Sequence, residues 1–309
     1  MGVSIPATII DGFCIIAVNC YILISGYYGI KASWKGFVKL YSICAFYGIT
    51  LILISIWKGN DFSIKDLILA ILPFWKSQWW FVNVYFHLFL LSPFLNFVIS
   101  KCNKSQLLKC TLLLGFLSVL YYFFSSGGYD IANFTVLYFI GRYIQLYTEN
   151  VTTKEKKLLL LSIYSVLSLI TGILVLSTFS NYFLSYNSPL ITFASIAFFM
   201  LFRTFSFQSK LVNWLATSAF AVYLIHCNKI ILPYFNYFFN FIKDSFGDYW
   251  YFSVLVFIGA GTILLALLLV DKIRILISNP IEKYFAKIPV EIYIKKGISA
   301  ITQKATNKQ

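Results

Sequence analysis

Charge is what this sequence has least of. Only 12% of its 309 residues are Asp, Glu, Lys or Arg, against roughly 25% in an average soluble protein. So few charges cannot clothe a soluble exterior, and a water-soluble chain is excluded. Histidine occurs twice. No Ser-His-Asp constellation, HExxH, P-loop or GxGxxG is present, so the commonest hydrolase, zinc-peptidase and nucleotide-binding signatures are missing. Six cysteines are present, Cys14, Cys20, Cys44, Cys102, Cys110 and Cys227. None forms a CxxC, so neither a disulfide framework nor a zinc site is expected, and they read as helix-packing residues. Nothing points to a metal. The start from Met1 to Ile10 has no basic segment and no small-residue cleavage site, hence no signal peptide. Pro6 stands where a myristoylation signal wants Ser or Thr. No fixed-period repeat and no soluble insertion is visible.

What is there is apolar and helical in length. The chain is 60% hydrophobic with mean hydropathy +0.79, and its apolar runs approach the 20 residues that cross a bilayer. The reading is an all-α, polytopic transmembrane bundle of about nine spans. These cover Thr8–Ile30, Phe37–Trp57, Trp79–Ile99, Leu107–Phe124, Asn133–Tyr147, Lys157–Phe179, Pro189–Phe205, Ser218–Phe239 and Trp250–Val270. Asp66–Trp75 is too short to cross and is stopped by Pro73, so it is expected to be interfacial or re-entrant. Residues 1–270 form the bundle and 271–309 a basic, partly amphipathic cytoplasmic tail.

A net charge of +14 raises nucleic acid as a partner, but the lysines sit in short loops and in the tail, as orientation signals do. Lys31, Lys35 and Lys39, then Lys101, Lys104 and Lys109, then Lys154, Lys156 and Lys157 mark one side, joined by Arg203, Lys210 and the tail. The alternate loops are poorer, so the rich side and the C-terminus are placed in the cytoplasm. An odd number of spans then puts Met1 outside without a signal to carry it there. A helix preceding Thr8 is therefore expected to be missing. The tail from Ile277 to Lys304 mixes Ile281, Tyr284, Phe285 and Ile288 with lysines. It suits either a helix on the anionic inner leaflet or a plain topological signal.

Polar groups at membrane depth mark function by default. His226, in Tyr223-Leu224-Ile225-His226, lies about 13 Å into its span at 1.5 Å per residue, with Tyr223 on the same face. It is either a general base or substrate ligand, or an interhelical hydrogen-bond donor. Arg142 cannot lose its charge and must find a phosphate or a set of carbonyls, because Asp11 is the only carboxylate near membrane depth. His87 is expected to be a packing histidine. In Ile24-Ser25-Gly26-Tyr27, a small residue lets a backbone or ligand approach, and the hydroxyls want partners.

Three stretches carry a family resemblance. Val18 to Ile30 with its Ile24-Ser25-Gly26-Tyr27 resembles the second-helix signature of the acyltransferase-3 family of bacterial membrane O-acyltransferases. Gln78-Trp79-Trp80-Phe81 running to Leu91-Ser92-Pro93-Phe94-Leu95 resembles its Trp-Phe…Leu-x-Pro helix. Ala219 to His226 is similar to its late S-x-Y-L-I-H helix. The resemblance implies about ten core helices with both termini inside. It implies transfer of an acetyl or similar acyl group from cytosolic acyl-CoA to sugar hydroxyls of O-antigen, capsule, exopolysaccharide or peptidoglycan. The family's first helix, with its catalytic Arg and His, is not matched before Thr8. Lys31, Lys35 and Lys39 stand where an Arg-rich run is usual.

On that basis Lys31, Lys35, Lys39 and Arg142 are expected at the phosphates of acetyl-CoA, a donor substrate rather than a resident cofactor. Ser25 and Tyr27 would position the acyl group, and His226 would assist as base or hold the acceptor. Trp79, Trp80, Asn83 and Tyr223 are expected to bind the sugar; Trp75 and Phe81 join them, or the tryptophans form an interfacial belt. Membrane lipids and a polysaccharide or lipid-linked glycan are the expected partners, nucleic acid is not, and a homo-oligomer is allowed. The expected location is the bacterial inner membrane. A glycan exporter and an inactive remnant of the enzyme are the competing readings.

Overall fold

The computed structural model describes residues 5–59, 61, 63–74, 79–124, 127–150 and 152–290. Trp75, Lys76 and the tail from 291 onward lie outside the described residues. Every regular element among the described residues is helical, as expected of a chain whose backbone groups must be satisfied within each segment. Seven stretches are long and apolar enough to cross a membrane: Ile5–Tyr28, Trp34–Trp57, Trp80–Lys101, Lys104–Phe124, Lys154–Thr178, Asn181–Arg203 and Phe252–Ala286. The protein is a polytopic helical membrane protein.

The chain divides into two compact units. The first comprises Met1–Lys31 and Val84–Phe207, the second Ala32–Asn83 and Gln208–Gln309.

In the first unit, α1 (Ile5–Cys14) and α2 (Ala17–Tyr28) run almost end to end. The unit also holds most of α5 (Trp80–Lys101), with α6 (Lys104–Phe124), α7 (Ile131–Tyr147), α8 (Lys154–Thr178) and α9 (Pro189–Arg203). Local chemistry starts these helices. Asp130 accepts from the Asn133 N–H at 2.8 Å and caps α7, Thr153 caps α8, and Pro189 opens α9. Small residues set the packing. A Cβ on Gly26 of α2 would lie 2.4 Å from the Tyr138 carbonyl oxygen of α7, and one on Gly141 would lie 2.4 Å from that of Leu23. Each glycine lets the other helix's backbone in, the means by which helices associate where lipid removes the hydrophobic drive. Gly12 and Gly172 do the same between α1 and α8.

The second unit holds α3 (Trp34–Trp57), α4 (Ile64–Ile71), α10 (Lys210–Ala216), α11 (Ala219–His226), α12 (Leu232–Phe246) and α13 (Phe252–Ala286). The short α4 is built by a capping box between Ser63 and Asp66. It packs on α3, where Gly48 approaches the Ala70 backbone and the Tyr41 hydroxyl donates to the Ile71 carbonyl at 2.8 Å.

Two expectations change. Ser218–Phe239 is not one helix: α11 ends at His226, and Cys227–Ile231 form a turn closed by Asn228, whose Oδ1 accepts from the Ile230 N–H at 2.8 Å. The other concerns residue 270, at which no helix ends. α13 continues to Ala286 through Pro280, so 271–286 belong to the helix of the last candidate span rather than to a separate tail.

Candidate functional site

The helix pair α3 and α13 builds the most site-like place in the second unit. The Trp34 indole N–H donates to the Phe285 carbonyl at 2.9 Å, and the Tyr47 hydroxyl donates to Asp271 Oδ1 at 2.8 Å. Numbers rise along α3 as they fall along α13, so the two run antiparallel. Beside these ties opens a cavity of about 490 Å³ lined by Lys35, Val38, Lys39, Asn279, Glu282, Lys283, Ala286 and Lys287. The lining residues follow helical spacing on both sides: i, i+3, i+4 on α3, and i, i+3, i+4, i+7, i+8 on α13. Four lysines face one glutamate, a balance that suits a multiply charged anion.

Of the lysines singled out in the sequence, Lys35 and Lys39 line this cavity. Lys283 and Lys287 join them, although in the sequence they counted only as tail charges. Lys31 is exposed in the first unit and does not line the cavity.

A second cluster in the same unit surrounds His226. The Tyr223 ring lies 6.2 Å from the imidazole and 5.6 Å from Phe81, and it stacks with Phe220 at 6.2 Å. The one-face reading of Tyr223 and His226 matches this geometry. His226 is the last residue of α11, and its side chain is exposed. Nδ1 lies 2.8 Å from the Val222 carbonyl and Nε2 lies 3.3 Å from Cys227 Sγ. An Nδ1–H donated to Val222 leaves Nε2 as the basic nitrogen, the arrangement of an oriented general base. Cys227 lies outside the seven candidate spans, and desolvation pushes its thiol up, which keeps it protonated near neutrality.

Trp79 is corrected. Its ring is 2% exposed, packs among Ile43, Cys44, Ala221 and Leu224, and donates its N–H to the Leu224 carbonyl at 2.9 Å. Those contacts occupy the faces a sugar ring would need. Trp80 is half-buried against Phe81. Asn83 turns a buried Oδ1 without a partner among the described residues.

In the first unit the Ser-Gly-Tyr step closes onto protein. The Ser25 hydroxyl donates back to the Tyr21 carbonyl at 2.9 Å and lies 3.5 Å from the Tyr85 hydroxyl. No imidazole or carboxylate among the described residues activates it. The Tyr27 ring packs on Phe199, with the Arg203 guanidinium 5.7 Å from its centroid. Arg142 answers its charge with a helix end: Nη1 donates to the Tyr27 carbonyl at 3.3 Å, the favoured place for a cation on the helix dipole. Gly29, at φ +73°, leaves the room, since a Cβ there would stand 3.2 Å from that nitrogen. Arg203 serves α7 likewise, donating to the Thr148 carbonyl and hydroxyl. His87 is exposed on α5, with Phe86 6.3 Å away, rather than packed inside.

Three residues fix the exit of α2. The Ile30 N–H donates to the Tyr138 hydroxyl at 3.0 Å. Tyr138 donates to Asn96 Oδ1 at 2.7 Å, and Asn96 donates to the Ile30 carbonyl at 2.9 Å. Neither Tyr138 nor Asn96 stands in a motif that sequence reasoning selects. The buried Asp271 and Arg274 of α13 were also missed. Their signal was present, polar residues recurring at 271, 274, 278 and 282, and it was hidden by ending the span at Val270. Asp11 is accordingly not the sole carboxylate of the helical body, as Asp271 is fully buried.

No protein of curated function and no solved structure matches the chain. A family model described as an acyltransferase domain, that of the acyltransferase-3 family, matches residues 2–271. With most of its length matched, the chain belongs to the acyltransferase-3 family of membrane acyltransferases.

Proposed function

We propose that the protein moves an acetyl or similar acyl group from cytosolic acyl-CoA to a hydroxyl of a cell-surface or exported polysaccharide, in the inner membrane of a bacterium. The observation that carries the donor half is the lysine-lined cavity between α3 and α13. Coenzyme A presents a phosphate monoester and a diphosphate, and four ammonium groups on two tied helices meet them without neutralising carboxylates of equal number. His226 is the candidate base. Its unprotonated Nε2, released from the Cys227 thiol that lies 3.3 Å away, takes the proton of the sugar hydroxyl as that oxygen attacks the thioester carbonyl, and returns it to the coenzyme A sulfur, which leaves as the thiol. Tyr223 and Trp80 offer aromatic surface to the sugar.

The test uses the full chain in nanodiscs with radiolabelled acetyl-CoA and envelope glycans. Ester-linked label on the glycan is expected. The pair Lys35→Gln and Lys39→Gln should weaken donor binding at least about tenfold, since two charges near a partly desolvated phosphate are lost. His226→Ala should slow transfer by about 10²–10⁴ with donor binding kept. Glycan movement across the membrane without ester formation would reject transfer in favour of export.

A further inference from the structure

The one carboxylate of the lysine cavity is not left to the lysines. Asp271, Arg274, Ser278 and Glu282 stand at i, i+3, i+7 and i+11 along α13, on one face. The Arg274 guanidinium ion-pairs with Asp271 and, through Nη1, reaches Ser278 Oγ at 3.1 Å and Glu282 Oε1 at 3.4 Å. Asp271 is fully buried and Arg274 is 6% exposed, and the Tyr47 hydroxyl of α3 closes the inner end on Asp271. Among the described residues no cavity lysine forms an ion pair with Glu282, although Lys283 is its chain neighbour and Lys35 and Lys39 share its cavity. Glue between helices would need only Tyr47, Asp271 and Arg274. The further reach to Glu282 calls for another reason.

We propose that Arg274 is a positioning residue that holds Glu282 away from the lysines, so that all four ammonium groups stay open to a multiply charged phosphate ester. Asp271 and Tyr47 hold Arg274 in turn. A buried guanidinium with fixed partners is a firmer anchor for a carboxylate than mobile surface lysines. The shared ligand chemistry is phosphate, and two sources supply it: the donor's phosphates, in which case the inference rests on the function proposed above, or the headgroup of an anionic lipid.

The test is a mutant cycle on the full chain in nanodiscs of neutral phosphatidylcholine, with coenzyme A as the titrated probe. Arg274→Gln is made together with Asp271→Asn, so that no buried carboxylate is stranded. With its anchor gone, Glu282 turns to the lysines, and coenzyme A affinity should fall about tenfold, the scale of one added opposing charge. Adding Glu282→Gln should cancel that fall, leaving the triple variant within about threefold of Glu282→Gln alone. A purely structural Arg274 would show no such rescue. Failure of Glu282→Gln to restore binding overturns the proposal. So does a tenfold gain from Glu282→Gln alone, since Glu282 would then already oppose the ligand. A second arm measures retention of phosphatidic acid in mixed nanodiscs. If wild type ignores coenzyme A and retains phosphatidic acid, the donor reading falls, and the same cycle read on lipid retention decides the role of Arg274. Binding of neither anion overturns both.

Discussion

Tyr138 stands among the many tyrosines of this chain with nothing in its neighbourhood to single it out, yet it is buried at 0% exposure and joins α7 to the residue that follows the Ser-Gly-Tyr-Tyr-Gly step. Tyr138→Phe keeps the ring and leaves the Ile30 N–H and Asn96 Oδ1 each short of a partner. The expected loss is about 1–3 kcal/mol per orphaned group, read by denaturant unfolding in detergent, while Tyr143→Phe, on the same helix, serves as the control. The reverse case is Trp79. Its position beside Trp80 suggested a surface aromatic, and nothing local announces that its indole N–H will find the Leu224 carbonyl. Burial is decided by a partner 145 positions away in the chain, which no local pattern encodes. Ser25 is intermediate. Its need for a partner was legible, and the partner proved to be the carbonyl one turn back, a habit of hydroxyls in apolar helices.

At the scale of the element, the helices themselves were legible because apolar length is a strong signal in membrane chains. Their interruptions were not. The turn at Cys227–Ile231 is written in Asn228 and in Pro233 at the head of α12, but the surrounding apolar run concealed it. The close approach of α2 and α7 was half legible: Gly26 promised that something would come near, without saying what. It is a backbone, so Gly26→Ala or Gly141→Ala must part the helices or bend them. Each should destabilise the protein by about 1–3 kcal/mol, measured as a lowered midpoint of thermal unfolding in detergent. Gly115, with open space around it, should accept alanine with no such loss.

At the scale of the whole molecule, loop charge supplied an orientation that the fold makes testable in a new way. Lys35 and Lys287 line one cavity and so must open to one side of the membrane. Cysteines placed at these two positions, in a background with the six native cysteines replaced, should react with an impermeant maleimide from the cytoplasmic side together. Labelling of one from each side would contradict the packing of α3 on α13. The two ties of that packing, Trp34 to Phe285 and Tyr47 to Asp271, are spaced by 13 residues of α3, roughly 20 Å of helix. Taken as the donor site proposed above, a gap pinned at both ends would act as a gauge rather than a jaw, and a series of ever shorter nucleotides should lose affinity stepwise, each phosphate removed costing its own increment.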